Sequence, residues 1–340
     1  MGGLAIKNAY TRRYQKDEFD AILPEILTKA QKMFSSAVST TYFKSKDSFG
    51  DADILCLVDR PIDVDLKQWI IDEFQSKEVV QNSHVYSFEY KELQVDFILT
   101  PLSSWETSQV YFSYNDLHNL VGKVAHKFGL KWGYDGLIMP YRIDGKMLGE
   151  VVVTKDHRKA LAFLGFDVAR YDQGFDNLDE IFDFVTASKY FNPWMFDFET
   201  LNRINRDRDK KRKTYASFVE HVAPMKERGL EAFHYFYHDK KAYLGLIDHY
   251  FPGFLLEYRE LEKKEEIKRA VSKLYNGNLV MQYFDISDKS LGAAIGTFEK
   301  QFGSREKLEE YVLDIDDTDI IMNKFMEVCS LQDKRKRFLV

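Results

Sequence analysis

A chain of 340 residues and 40.0 kDa carries −6 at pH 7, which argues against a protein that coats nucleic acid indiscriminately, because such binding rests on neutralising many phosphates. Single hydrophobic cores rarely grow past ~250 residues, so two domains are expected. Hydrophobic residues at 45%, aromatics at 15% and charged residues at 30% exclude disorder and low complexity as whole-chain descriptions and leave room for a local basic surface.

In chain order, Phe19, Ile22, Leu23, Ile26, Leu27, Ala30 and Phe34 recur at helical intervals, which predicts a helix from Lys16 to Phe34 with Pro24 marking a kink or a later start. After Ser-rich turns, the apolar run Ile54 to Val58 predicts a strand, Gln68 to Phe74 a helix, and the alternating segments His84 to Phe88 and Leu93 to Leu99 two more strands. Asp116 to Phe128 predicts a helix stopped by Gly129. Leu137 to Met139 and Gly149 to Val153 flank Asp144-Gly145, the composition of a hairpin, and a helix from His157 to Leu164 closes at Gly165. Beyond residue 170 the pattern turns helical and aromatic: Leu178 to Ser188, Tyr215 to Val222, Leu230 to Tyr237, Phe254 to Tyr275, Leu291 to Phe302, Lys307 to Val312 and Asp319 to Cys329. The expectation is an α+β chain with a mixed α/β domain at 1–170 and a mostly helical domain at 171–340. No apolar run of about eighteen residues occurs, and Met1 to Arg13 lacks the basic-then-apolar order of a secretory signal, so no membrane partner is expected. Cys56 and Cys329 are too few for a disulfide framework or a zinc site, which suits the cytoplasm.

The chemistry concentrates in the stretch Thr40 to Leu55. Asp51 and Asp53 stand two apart at the start of a predicted strand, so their side chains share one face. Adjacent carboxylates repel and hold protons unless a cation lies between them, and hard oxygen ligands select Mg²⁺ or Mn²⁺. Asp96 is a third carboxylate inside the apolar run Leu93 to Leu99, costly to bury without a partner. If the two strands are neighbours, three carboxylates converge and can hold two ions about 3.5–4 Å apart, the arrangement that supports in-line displacement at phosphorus.

Asp51-x-Asp53 after Gly50, with the later Asp96, resembles the polymerase β nucleotidyltransferase superfamily, and within it the family X DNA polymerases. Tyr111-Phe112, Asp116 and Asn119 follow at spacing similar to that family, and the likeness continues through the hairpin to Gly165, about half of the chain. It implies a polymerase β-like palm and a thumb-like subdomain followed by the helical domain. It also implies metal ligands at Asp51, Asp53 and Asp96, the last helping to deprotonate an attacking 3′-hydroxyl. An NTP or dNTP would meet Thr41, Lys44 and Gly50 at its phosphates, Tyr111 and Phe112 at its sugar, and Asp116 and Asn119 at its base, with Lys123 near a template strand. Arg12 and Arg13 fall where another phosphate-contacting arginine occurs. Two departures are Thr40 and Tyr114, each at the place of a family glycine; the family's upstream DNA-binding modules have no counterpart.

The densest basic segment, Arg203 to Lys213, could grip an acceptor nucleic acid through Arg206, Lys211 and Arg212, with Tyr215 and Phe218 stacking on unpaired bases. The favoured reading of the same segment is a solvated helix face partly neutralised by Asp207 and Asp209. Ser290 to Phe302 faintly resembles the helical tails of tRNA nucleotidyltransferases. The expected function is Mg²⁺- or Mn²⁺-dependent transfer of a nucleoside monophosphate to a nucleic-acid 3′ end. The competing expectations are transfer to a small molecule, tRNA or protein side chain, and a nucleotide-binding or partner-binding module without turnover.

Overall fold

Strand β1 (Tyr14–Gln15) and helix α1 (Lys16–Ala30) open the structure, a computed structural model that describes residues 5–228, 232–235, 239–286 and 288–336. Helix α1 starts upstream of Pro24 and runs through it: Glu18 accepts the Gln15 amide at 2.9 Å in the first turn, and Pro24 lies on the exposed side, where the carbonyl that loses its donor meets water. The opposite stripe, Phe19, Ile22, Ile26 and Ala30, is buried.

Five strands form the sheet beneath it. They are β2 (Ala37–Ser39), β4 (Asp51–Val58), β5 (Val79–Asn82), β6 (Val85–Tyr90) and β7 (Leu93–Pro101); the short β3 (Ser48–Phe49) pairs with β1 instead. The order is β2-β4-β7-β6-β5, with β4 and β7 parallel and the pairs β2–β4, β6–β7 and β5–β6 antiparallel, so the sheet is mixed. The connection from β4 to β7 carries helix α2 (Leu66–Phe74), capped by the Asp65 carboxylate on the amides of Lys67 and Gln68. At the sheet centre Ile54, Leu55 and Cys56 are all fully buried, which is why this strand reads as a continuous apolar run rather than an alternating one. Phe19, Ile70, Phe74, Phe88 and Phe97 belong to the core between helices and sheet.

After β7 come α3 (Trp105–Tyr111), α4 (Leu117–Lys127) and a three-stranded sheet, order β10-β9-β8, from β8 (Lys131–Gly133), β9 (Gly136–Ile143) and β10 (Lys146–Thr154). Gly129 adopts φ +82° beyond α4, and the hairpin turn carries positive φ at both Asp144 (50°) and Gly145 (78°), as the sequence predicts. Helices α5 (His157–Phe163), α6 (Val168–Asp172), α7 (Leu178–Thr186), α8 (Arg203–Asp209), α9 (Lys213–Glu227) and α10 (Leu244–Tyr250) follow. The helices α11 (Phe254–Leu274), α12 (Gly277–Tyr283), α13 (Asp288–Phe302), α14 (Arg305–Ile315) and α15 (Thr318–Cys329) complete the described chain.

The chain divides into two compact units, 1–140 with 150–255, and 141–149 with 256–340. Residues 171–255 group with 1–140 in the first unit, so the units part elsewhere than between 1–170 and 171–340. The second unit has its own core, around Val271, Tyr275, Phe284, Phe298, Val312 and Phe325. Of the expected helix Leu230 to Tyr237, residues 230, 231, 236 and 237 lie outside the described residues, and 232–235 are not helical. Among the described residues, no helix is long and apolar enough to cross a membrane.

Candidate active site

Parallel pairing of β4 with β7 sets Asp53 directly opposite Asp96, and Asp51, two residues earlier on the same strand, points to the same face. One carboxylate oxygen of each of Asp51, Asp53 and Asp96 lies within 4.8 Å of the others. Burial, reinforced by the neighbouring Asp51 and Asp96, pushes the Asp53 carboxyl well above the usual range. Burial also lifts Asp96 to about 6, opposed by a hydrogen bond from Ser87 and by Gln94. Gln94 is buried and its Nε2 donates to both Asp96 oxygens, at 3.0 and 3.2 Å. Its Oε1 accepts the Ala5 amide at 2.9 Å, which fixes which end of the amide faces the carboxylate. Three hard, anionic oxygen donors that strain toward protonation when bare are the ligand set a divalent cation fits, and these three residues could hold Mg²⁺ or Mn²⁺.

A cation from the chain itself stands nearby. Lys46 sits over the Phe49 ring at 4.5 Å, and its Nζ donates to Asn115 Oδ1 at 3.3 Å. Burial depresses its pKa while Asp51 and Asp53 raise it, so it lies in the field of both carboxylates. Lys44, two residues earlier, is 74% exposed and pairs with Asp176 at 2.6 Å. Thr41 is tied in through its carbonyl, which accepts the Tyr114 amide at 2.7 Å, while the Thr40 amide donates to the Asp53 carbonyl at 3.2 Å. Gly50 is buried immediately before Asp51. Arg12 is engaged by Glu18 and Glu92, and Arg13 by the carbonyl and hydroxyl of Ser48.

Tyr111 and Phe112 close helix α3, with rings 5.2 Å apart, and Phe112 stacks on Tyr134. Tyr114 and Asn115 both adopt left-handed backbone, φ 54° and 57°, so the turn does use the conformation for which glycine is the easy residue. Tyr114 holds it by packing edge-on against Phe175, ring centroids 4.9 Å apart. Beyond this turn, the predicted nucleotide and template residues meet the basic segment. Asp116 accepts a hydrogen bond from Arg212, and Asn119 Oδ1 accepts one from Arg208 at 3.1 Å, while Asn119 Nδ2 is buried without a partner among the described residues. Lys123, 11% exposed, pairs with the fully buried Asp209 at 2.6 Å. Arg206 donates to the Leu201 carbonyl at 3.2 Å, and Lys211 is exposed. Tyr215 and Phe218 are fully buried, which corrects the expectation that they stack on bases: their rings serve the packing of α9.

Sequence reasoning missed Lys46, Gln94, Arg208 and the buried state of Asp209. Only Gln94 had a local signal: two residues before Asp96 in a strand, it had to share that face. Fold and site together define a mixed α/β protein with an acidic triad suited to a divalent ion. No family model matches the sequence, and no curated protein matches it. Among solved structures, the polymerase β of Leishmania infantum in a ternary gap complex is similar at a TM-score of 0.32 and 14% identity, over 39% of this chain and 53% of that one. The match spans about half the length of that polymerase and assigns this chain no activity.

Proposed function

We propose that the chain is a metal-dependent nucleotidyltransferase that moves a nucleoside monophosphate from an NTP or dNTP to an acceptor hydroxyl, with release of pyrophosphate, and that the acceptor is a nucleic-acid 3′ end. The observation that carries this reading is the meeting of Asp51, Asp53 and Asp96 across two parallel strands, with one oxygen of each inside 4.8 Å. A bound divalent ion supplies activation of the attacking hydroxyl and neutralisation of charge on the phosphates. Asp96, opposite Asp53 on the neighbouring strand, is the carboxylate suited to take the proton from the acceptor hydroxyl. Gln94 and Ser87 hold that carboxylate in orientation. Thr41, Lys44 and Gly50 would meet the phosphates; Tyr111, Phe112, Asp116 and Asn119 would flank sugar and base, and the helical remainder would recognise the acceptor. The tethers from Thr41 to Tyr114 and from Lys46 to Asn115 support one cleft, because they tie the loop before β4 to the turn before α4. Positioning and fixed charge account for most of the rate in such chemistry.

The net charge of −6 favours a second reading, transfer to a small molecule or a protein side chain, over grip on long duplex DNA. Incubation with Mg²⁺ and labelled NTPs or dNTPs, with primer-template, single-stranded DNA or tRNA as acceptor, separates the two. Asp51→Asn is expected to abolish pyrophosphate release with the fold retained by circular dichroism. Near-normal release from that variant would refute the assignment.

A further inference from the structure

Asp116, Asn119 and Lys123 recur along one side of α4, and each is met by a side chain from residues 208–212. The centre of this contact is buried: Asp209 is wholly inaccessible, Lys123 takes one of its oxygens at 2.6 Å, Arg208 Nε takes the other at 3.0 Å, and the Tyr215 ring lies 5.0 Å from the Lys123 ammonium. Separating such a pair strands a charge away from water, so the contact acts as a fixed joint. It delivers the residues around Asp209 to a defined place. Arg208 reaches Asn119, Arg212 reaches Asp116, and both lie in the field of the Tyr111 hydroxyl.

These two arginines do not use all their donors. Arg208 engages Nε and Nη2, and Arg212 engages Nη1; the other guanidinium nitrogens have no partner among the described residues. Their side chains remain 48% and 36% exposed. Asn115, adjacent to Asp116, receives Lys46, which lies in the field of Asp51 and Asp53. Arg208 and Arg212 therefore hold open donors near Tyr111, and Lys46 sets positive charge in the field of Asp51 and Asp53, in a chain whose net charge is −6. Local cationic charge on an acidic protein, with open planar donors, fits phosphate oxygens.

We propose that Arg208 and Arg212 bind backbone phosphates of a single-stranded nucleic-acid acceptor, and that Lys123 and Asp209 are positioning residues that hold them. This rests on the nucleic-acid acceptor reading above. Each phosphate contact on a single strand contributes about 0.7 to the slope of log affinity against log salt, or about fivefold in affinity at 0.1 M salt.

The test is fluorescence anisotropy of the full chain with labelled oligo-dT and oligo-U, titrated with KCl in EDTA so that binding is read without metal or turnover. Arg208→Ala and Arg212→Ala are each expected to lower the slope by about 0.7 and the affinity about fivefold, with Arg212→Lys recovering the slope. Arg203→Ala removes the same charge from a 93% exposed position of the same segment and is expected to leave both unchanged. Wild-type affinity and slope in Arg208→Ala and Arg212→Ala would overturn the proposal, as would an equal loss in Arg203→Ala. So would binding of ATP but of neither strand, with ATP weakened in the two arginine variants, since the cations would then serve the nucleotide. Pyrophosphate release, measured separately, reports on the catalytic reading: strand binding with no release sinks that reading and leaves the two arginines assigned.

Discussion

Asp96→Asn removes one of three crowded charges while preserving the side chain's shape and an oxygen that Gln94 and Ser87 can reach. The Asp96 carboxyl keeps its proton to about pH 6 in the folded, metal-free chain, against an ordinary value of 3.8. The folded state thus binds the extra proton between those values, and stability falls as pH rises through that window. Above about pH 7 the ionised carboxylate costs about 3 kcal/mol, which the asparagine does not incur. In EDTA at pH 8 the variant is therefore expected to melt higher than wild type, by roughly 6–12 °C for a unit of this size, and at pH 4 the two should nearly coincide. Mn²⁺ should narrow or reverse the gap at pH 8, because the wild-type triad gains more from the ion than a site with one ligand charge removed. Differential scanning fluorimetry over pH, with EDTA and with Mn²⁺, reads all of this. A variant that melts below wild type at pH 8 in EDTA, or a difference that does not change with pH, would show that burial does not hold a proton on Asp96 and would remove the electrostatic basis of the site.

Asp209→Ala should destabilise the chain by about 3–5 kcal/mol by leaving Lys123 buried and unpaired, and pairing Lys123→Met with Asp209→Leu should recover much of that loss in a urea melt. His118 is buried, with Nδ1 accepting from Trp132 Nε1 at 2.9 Å, and burial lowers its pKa to about 3. The folded state resists the proton that the unfolded chain takes up near pH 6.5, so His118 stabilises fully above that pH and loses its contribution as pH falls. The difference in stability between wild type and His118→Asn should shrink by about 2 kcal/mol from pH 7.5 to pH 5, and a constant difference would show that the ring titrates freely. Gly136 holds φ +108°, and a Cβ there would stand 2.5 Å from the Thr154 carbonyl oxygen, so Gly136→Ala should cost about 2 kcal/mol or more in thermal unfolding, with wild-type stability contradicting the hairpin packing.

The strands bearing the carboxylates were legible from local pattern: an apolar run after Asp-x-Asp, an alternating run around Asp96, and the shared face that a two-residue period imposes on Asp51 and Asp53. Turn chemistry located Gly129 and Asp144-Gly145 for the same reason, since positive φ is a property of a few residues and their immediate neighbours. Short elements such as β2 and α6 escaped because a run of 3 or 5 residues carries too little period to read. The reading of residues 203–213 as a solvated face failed at Asp209, whose burial depends on Lys123, 86 residues away.

Local pattern determined the kind of side chain present and the face of its own strand it occupies, because those follow from backbone geometry within a few residues. Tertiary structure alone decided that β7 lies parallel to β4 with Asp96 opposite Asp53, that Lys46 rather than Lys44 stands beside the acidic triad, and that Arg208 and Arg212 meet Asn119 and Asp116. Each is a meeting of residues distant in the chain or a choice of rotamer, set by which buried charges find partners and which apolar faces cover one another.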